Sequence, residues 1–209
     1  MTTFDVDTPH GPARVHLHDA GAQPVAALVL GHGAGGGLAA PDLVEATEVA
    51  NEQGVKVALV EQPYLVAGRR APAPPAQLDA AWLAAVEHLR KRDLAGLPLI
   101  AGGRSLSARV ACRTAVQAEA IAVLCLAFPV HPPGKPEKSR LEELDAVELP
   151  TLVVQGTSDP FGMPPPASNR EVVEVAGDHG LKKDLDAVGD AVADWLRRVT
   201  RLPGAPGGT

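Results

Sequence analysis

Apolar positions follow two rhythms along the chain. Short apolar runs at Val25–Leu30, Val55–Val60, Leu97–Ala101, Ile121–Ala127 and Thr151–Gln155 predict strands covered on both faces. Glu171–Val175 predicts a last, shorter strand, and the alternation of Ala13, Val15 and Leu17 with Arg14, His16 and His18 makes Gly11–His18 an edge or half-exposed one. Between them the spacing widens to that of helices, over 41–53, 77–92, 106–119 and 183–201, with a short one at 140–147. In the first of these, Leu43, Ala46, Thr47 and Ala50 share a face, Pro41 suits the opening turn and Gly54 the stop. In the last, Leu185, Val188, Val192, Trp195, Leu196 and Val199 form an apolar stripe. Residues 64–76 and 128–138 read as Pro-rich loops. Strands alternating with helices predict an α/β fold, a mostly parallel sheet with helices on both faces.

Such sheets bind ligands beyond the carboxyl ends of their strands. The polar residues at those ends are therefore the ones to weigh. Leu99-Ile100-Ala101-Gly102-Gly103-Arg104-Ser105-Leu106-Ser107 runs from a strand through a very tight turn into a helix. That layout exposes a serine on a strained turn beside the free N–H groups of a helix start, the nucleophile elbow G-x-S-x-G, here with Ser107 in the place of the last glycine. The competing reading is an ordinary turn with a capping serine. Ser107 should lie inside the first helical turn, away from the loop edge, so Ser105 is the candidate nucleophile. Asp159 and His179 each follow another predicted strand, which puts all three residues on one rim. A serine hydroxyl needs a base to take its proton, and a histidine suits that task near neutral pH. A carboxylate on the other ring nitrogen holds the imidazole in the required tautomer. The alternatives are a turn role for Asp159 before Pro160 and a surface-loop role for His179. Asp178, next to the histidine, is poorly placed for its outer nitrogen.

Acyl transfer also needs donors for an oxyanion. The N–H of Leu106, just after the serine, is one candidate. The second is the N–H of Ala34, in the Gly31-His32-Gly33-Ala34-Gly35-Gly36-Gly37 loop that follows the first long apolar strand. These glycines do not read as a phosphate loop, because no Lys-Ser/Thr pair follows them. His32 reads as a residue orienting that loop. Arg104, Arg69 and Arg70 could favour an anionic substrate, or be ordinary solvated arginines or a loop-to-helix ion pair. His131 and Lys135 could line the rim.

Bulk properties narrow the function classes further. At 209 residues, one domain is expected over 1–202, with a Gly- and Pro-rich flexible tail over 203–209. A net charge of −6 without a basic block, and only 3% aromatic residues, exclude nucleic acid as the expected partner. No apolar run is long enough to span a bilayer, and the N-terminus has no signal-peptide pattern, so neither membrane nor export is expected. Cys112 and Cys125 lie in apolar runs and should pack as small hydrophobes in a reducing compartment, the cytoplasm, rather than bind zinc.

Taken together, Gly31-His32-Gly33-Ala34-Gly35-Gly36, Glu61-Gln62-Pro63, Gly102-Gly103-Arg104-Ser105-Leu106, Gln155-Gly156-Thr157-Ser158-Asp159-Pro160-Phe161-Gly162 and Asp178-His179 resemble one group of α/β-hydrolases. It is the dienelactone-hydrolase-like group that includes testis-expressed protein thirty and subunit three of the NSL chromatin complex. The resemblance spans nearly the whole chain. It implies an α/β-hydrolase fold without a large lid, and a serine, acid and histidine at Ser105, Asp159 and His179. The expected activity is that of a serine esterase on a small acyl substrate, with no metal or organic cofactor. The alternative is a silent binding or scaffold protein on the same fold. Substrate identity and oligomeric state do not follow from the sequence.

Overall fold

The strand at Ala26–Gly31 is buried along its whole length because both of its faces are covered. Ala26, Leu28 and Leu30 pack into one apolar cluster, while Ala27 and Val29 pack into the other. Side chains alternate across a pleated strand, so an unbroken apolar run is what a two-faced strand requires.

This computed structural model describes residues 1–201. Its strands are β1 (Thr2–Val6), β2 (Ala13–His18), β3 (Ala26–Gly31), β4 (Val55–Glu61), β5 (Leu99–Arg104), β6 (Ala122–Leu126), β7 (Thr151–Gly156) and β8 (Arg170–Val175). Its helices are α1 (Pro41–Glu52), α2 (Pro63–Val66), α3 (Pro75–Lys91), α4 (Leu106–Thr114), α5 (Leu141–Asp145) and α6 (Leu185–Val199). The eight strands form one sheet in the order β1-β2-β4-β3-β5-β6-β7-β8. β1 and β2 run antiparallel to their neighbours, and β3 to β8 are parallel. α1 and α6 pack on one face, through Leu43, Ala46 and Ala50 and through Val188, Val192, Trp195 and Leu196. α3 and α4 pack on the other, where Trp82, Leu89, Val110 and Ala111 are buried. This is the expected α/β-hydrolase architecture, and among the described residues no lid covers the strand ends.

The structure departs from the expected elements in five places. β1 has no counterpart in the apolar pattern, because Phe4 and Val6 are the only large apolar residues in it. Its presence moves β2 off the sheet edge. β2 keeps its alternating burial, so the half-exposed part of that reading holds. α2 interrupts the loop expected over 64–76, opened by Pro63. β5 continues past Ala101 to Arg104, pairing Gly102 and Gly103 with Leu30 and Gly31 on one side and with Leu124 and Cys125 on the other. α4 stops at Thr114, since Ala118 and Ala120 then bond back in turns and Glu119 takes a positive φ of 51°. α6 begins only at Leu185, where the Asp184 carboxylate accepts from the Ala187 N–H at 3.1 Å. The tail expected over 203–209 lies outside the described residues.

Candidate active site

Ser105 sits between β5 and α4 with φ 50° and ψ −100°. This region costs a non-glycine residue about 1–3 kcal/mol. The turn is so tight because α4 returns against the strand it leaves. A Cβ on Gly103 would lie 2.6 Å from the Ser107 Cβ and 2.9 Å from the Gly31 carbonyl oxygen. Ser107, fully buried, fills the space left by these glycines and donates to the His32 carbonyl at 2.7 Å. The serine in the last elbow position is thus a pin between α4 and the loop after β3, and it does not face the rim.

Ser105 occupies the N-cap position of α4, yet its hydroxyl makes no cap bond. It lies 2.9 Å from His179 Nε2. His179 Nδ1 lies 2.8 Å from Asp159 Oδ2. A carboxylate can only accept, so Nδ1 carries the proton and Nε2 is free to accept from the serine. Asp159 makes the contacts of a turn residue and a contact to the histidine at once. Its Oδ1 accepts from the Phe161 N–H at 2.8 Å, an Asx turn, while Oδ2 takes the histidine and also accepts from Gln155 Nε2 at 2.9 Å. The Asp159 side chain is only 1% exposed. Asp178 closes its own turn, accepting from the Gly180 N–H at 2.9 Å, and makes no contact with the imidazole nitrogens. Gly156, at the end of β7, leaves room for this loop: a Cβ there would collide with the Asp178 carbonyl oxygen.

Across from the serine, the loop after β3 is set by His32. The Gln62 N–H donates to His32 Nε2 at 3.0 Å, which leaves the proton on Nδ1. Nδ1 then donates to the Gly33 carbonyl at 2.8 Å. That carbonyl shares its peptide plane with the Ala34 N–H, which points the opposite way in a trans peptide. The imidazole therefore orients the Ala34 donor. Burial lowers the pKa of His32 and keeps it neutral, as this arrangement needs. Among the described residues, neither the Ala34 nor the Leu106 N–H is taken up by another group. On the far side of the loop the Tyr64 hydroxyl donates to the Ala34 carbonyl at 3.1 Å.

Several side chains carry parts that the sequence did not disclose. Phe161 stacks on the His179 ring with centroids 4.0 Å apart. Gln155 also donates to the carbonyls of Phe128 and Gly162, which fixes the acid loop to the ends of β6 and β7. Only their place in the Gln155–Gly162 motif singled them out beforehand. Arg104, the last residue of β5, is in an ion pair with Asp42 at the start of α1, so the expected pairing runs from a strand end and not from a loop. His131 packs against Gly162, and its N–H donates to the Phe161 carbonyl at 3.0 Å, so it buttresses the acid loop. Arg69 lines a separate hollow of about 190 Å³ with Gln62 and Tyr64. Among the described residues, the Arg70 and Lys135 side chains make no ion pair or hydrogen bond. Cys112 and Cys125 are buried with their sulfurs 3.6 Å apart, and the Cys125 contact and burial push the Cys112 thiol pKa well up. Among the described residues, no three His, Cys, Asp or Glu side chains converge to hold a metal, and no helix is long and apolar enough to cross a membrane.

The arrangement puts a hydroxyl, an imidazole and a carboxylate in one hydrogen-bonded chain, with two main-chain N–H groups left free in the turns beside it. Comparison with known proteins agrees on the class. The alpha/beta hydrolase domain family matches residues 24–195, so the chain belongs to that family. Among solved structures, a serine hydrolase without lid from Xanthomonas campestris superposes with a TM-score of 0.81 at 19% identity, covering 97% of this chain and 96% of that one. Est1E from Butyrivibrio proteoclasticus gives 0.77 at 16% identity, over 95% and 99% of the two chains. A dienelactone hydrolase from Anabaena variabilis gives 0.73 at 16%, over 94% and 96%. No curated protein matches the sequence.

Proposed function

We propose that this member of the alpha/beta hydrolase family is a serine esterase that cleaves an ester or related acyl bond of a small molecule. The observation that carries the reading is His179 bridging Ser105 Oγ and Asp159 Oδ2 at 2.9 and 2.8 Å. Ser105 Oγ attacks the acyl carbon while its proton passes to His179 Nε2. The carbonyl oxygen becomes an oxyanion and accepts from the N–H groups of Leu106 and Ala34. His179, stabilised as imidazolium by Asp159, then gives the proton to the leaving alkoxide, and the C–O bond breaks. Water attacks the acyl-enzyme by the same route in reverse and restores the serine. This chemistry asks for no metal or organic cofactor. The narrower kinship, to the group of testis-expressed protein thirty and NSL subunit three, and a cytoplasmic setting belong to the same reading. They are supported by the motifs and by the two free, buried thiols.

A fluorophosphonate probe tests it. Wild-type protein should gain one adduct, mapped by mass spectrometry to Ser105, and Ser105→Ala should gain none. An unlabelled wild type, or equal labelling of Ser105→Ala, overturns the reading and leaves a silent scaffold.

A further inference from the structure

Arg104 is next to the nucleophile in sequence, but its side chain serves the histidine. Nε donates to both carboxylate oxygens of Asp42, at 2.8 and 3.2 Å. Nη2 donates to the main-chain carbonyl of His179 at 2.8 Å. Nη1 lies over Gly33, where a Cβ would approach it to 2.7 Å. The guanidinium thus touches three segments at once: the start of α1, the histidine loop and the loop that carries the Ala34 N–H. Asp42 is fully buried and also accepts from the Leu43 N–H at 3.1 Å. Its carboxylate fixes the plane of the guanidinium and balances its charge beside the imidazole.

The histidine loop is tied to the acid loop, where the Ser158 N–H and hydroxyl both donate to the Gly177 carbonyl at 2.9 and 2.8 Å, and Arg104 is its main-chain link to the elbow side. Around His179 its turns are closed locally, by the Leu181 N–H on the Asp178 carbonyl and by the Gly180 N–H on the Asp178 carboxylate. Leu181, with a positive φ of 48°, is buried in the core beyond. These bonds shape the loop without tying it to the elbow. Among the described residues, the His179 carbonyl has one donor, and that donor is Arg104.

We propose that Arg104, oriented by Asp42, is a positioning residue that clamps the His179 main chain so that Nε2 stays in line with the Ser105 hydroxyl. The proposal rests on the esterase reading for its kinetic consequence. Because the clamp grows from the residue before the nucleophile, it ties the base to the group it must deprotonate. A lysine could reach one of the three partners but not span them, since the planar fork is what reaches all of them together.

The test uses one probe and one spectroscopic signal. Fluorophosphonate labelling is measured at several probe concentrations, which separates the maximal rate of inactivation from the affinity for the probe. The downfield proton NMR signal of His179 Nδ1–H, bonded to Asp159, is followed in the same proteins. For Arg104→Met, the maximal rate should fall about 100-fold, the effect of a misplaced base, with probe affinity unchanged. The His179 signal should broaden through exchange with water. Arg104→Lys should recover part of the rate, and Asp42→Asn should show the same rate-only loss in milder form. Wild-type maximal rate and a sharp His179 signal in Arg104→Met overturn the clamp. If Arg104→Met does not fold by circular dichroism, the same result in both Arg104→Lys and Asp42→Asn overturns it. A wild type that fails to label rejects the esterase reading instead, and the NMR comparison then decides the clamp on its own.

Discussion

Ser105 and His179 meet at one hydrogen bond but are held there by opposite means. The serine stands on a turn locked by close packing, with Gly31, Gly103 and Ser107 in near contact and fully buried strands on both sides. The histidine itself is held by separate polar contacts, from Asp159 on one ring nitrogen and Arg104 on the carbonyl, with Phe161 against the ring. Packing resists change by steep repulsion, whereas a few hydrogen bonds yield as soon as one partner is removed. The nucleophile's geometry is therefore expected to fail together with the fold, and the base's geometry to fail by itself.

Asp159→Asn should produce the largest effect on activity. An amide can present its NH2 to Nδ1 and favour the wrong tautomer, and a loss of about 10⁴-fold in labelling rate is expected with little change in melting temperature. A variant within tenfold of wild type would contradict the hydrogen-bonding account of the loop. Gly103→Ala attacks the other region. Its new Cβ has no space, so a loss of roughly 1–3 kcal/mol in denaturant stability is expected, with labelling falling in parallel. Full stability with wild-type labelling would show that the elbow is not packed as tightly as it looks.

The smallest effect sharpens the comparison through His32, which belongs to the packed side although it is polar. Burial lowers its pKa below the ordinary 6.5, so the unfolded chain takes a proton that the folded chain refuses. Its contribution is unimpaired above that value and is lost as pH falls below it, by at most about 1.4 kcal/mol per pH unit. Urea unfolding between pH 7.5 and 5.5 should show a steeper loss in wild type than in His32→Gln. Equal slopes would mean that the imidazole is protonated within the fold.

The elements that packing demands twice over were the most legible. β3, β6 and β7 announce themselves because both faces must be apolar. α1 and α6 were readable because their buried residues fall at helical spacing on one side. β1 was not, since a strand bonded along one side and partly exposed has no strong pattern to display. Of the site, Ser105, Asp159, His179, Leu106 and Ala34 were named from strand ends and glycine-rich turns, and the fold brings the three side chains within hydrogen-bond reach. Asp42 was invisible, because an acid in a first helical turn is ordinary and its partner lies 62 residues away.

By itself, the order of apolar runs, glycines and strand-end polar residues determined the α/β class and which edge of the sheet gathers Ser105, Asp159 and His179. That follows from local rules: the alternation of side chains in a strand, the pitch of a helix and the freedom of a turn. Only the tertiary structure decided which oxygen of Asp159 faces the histidine, that Ser107 is a pin, and that Arg104 reaches back to the His179 carbonyl. Those are long-range meetings of side chains, and their distances are set by how the loops at one rim pack together, which no local stretch of sequence encodes.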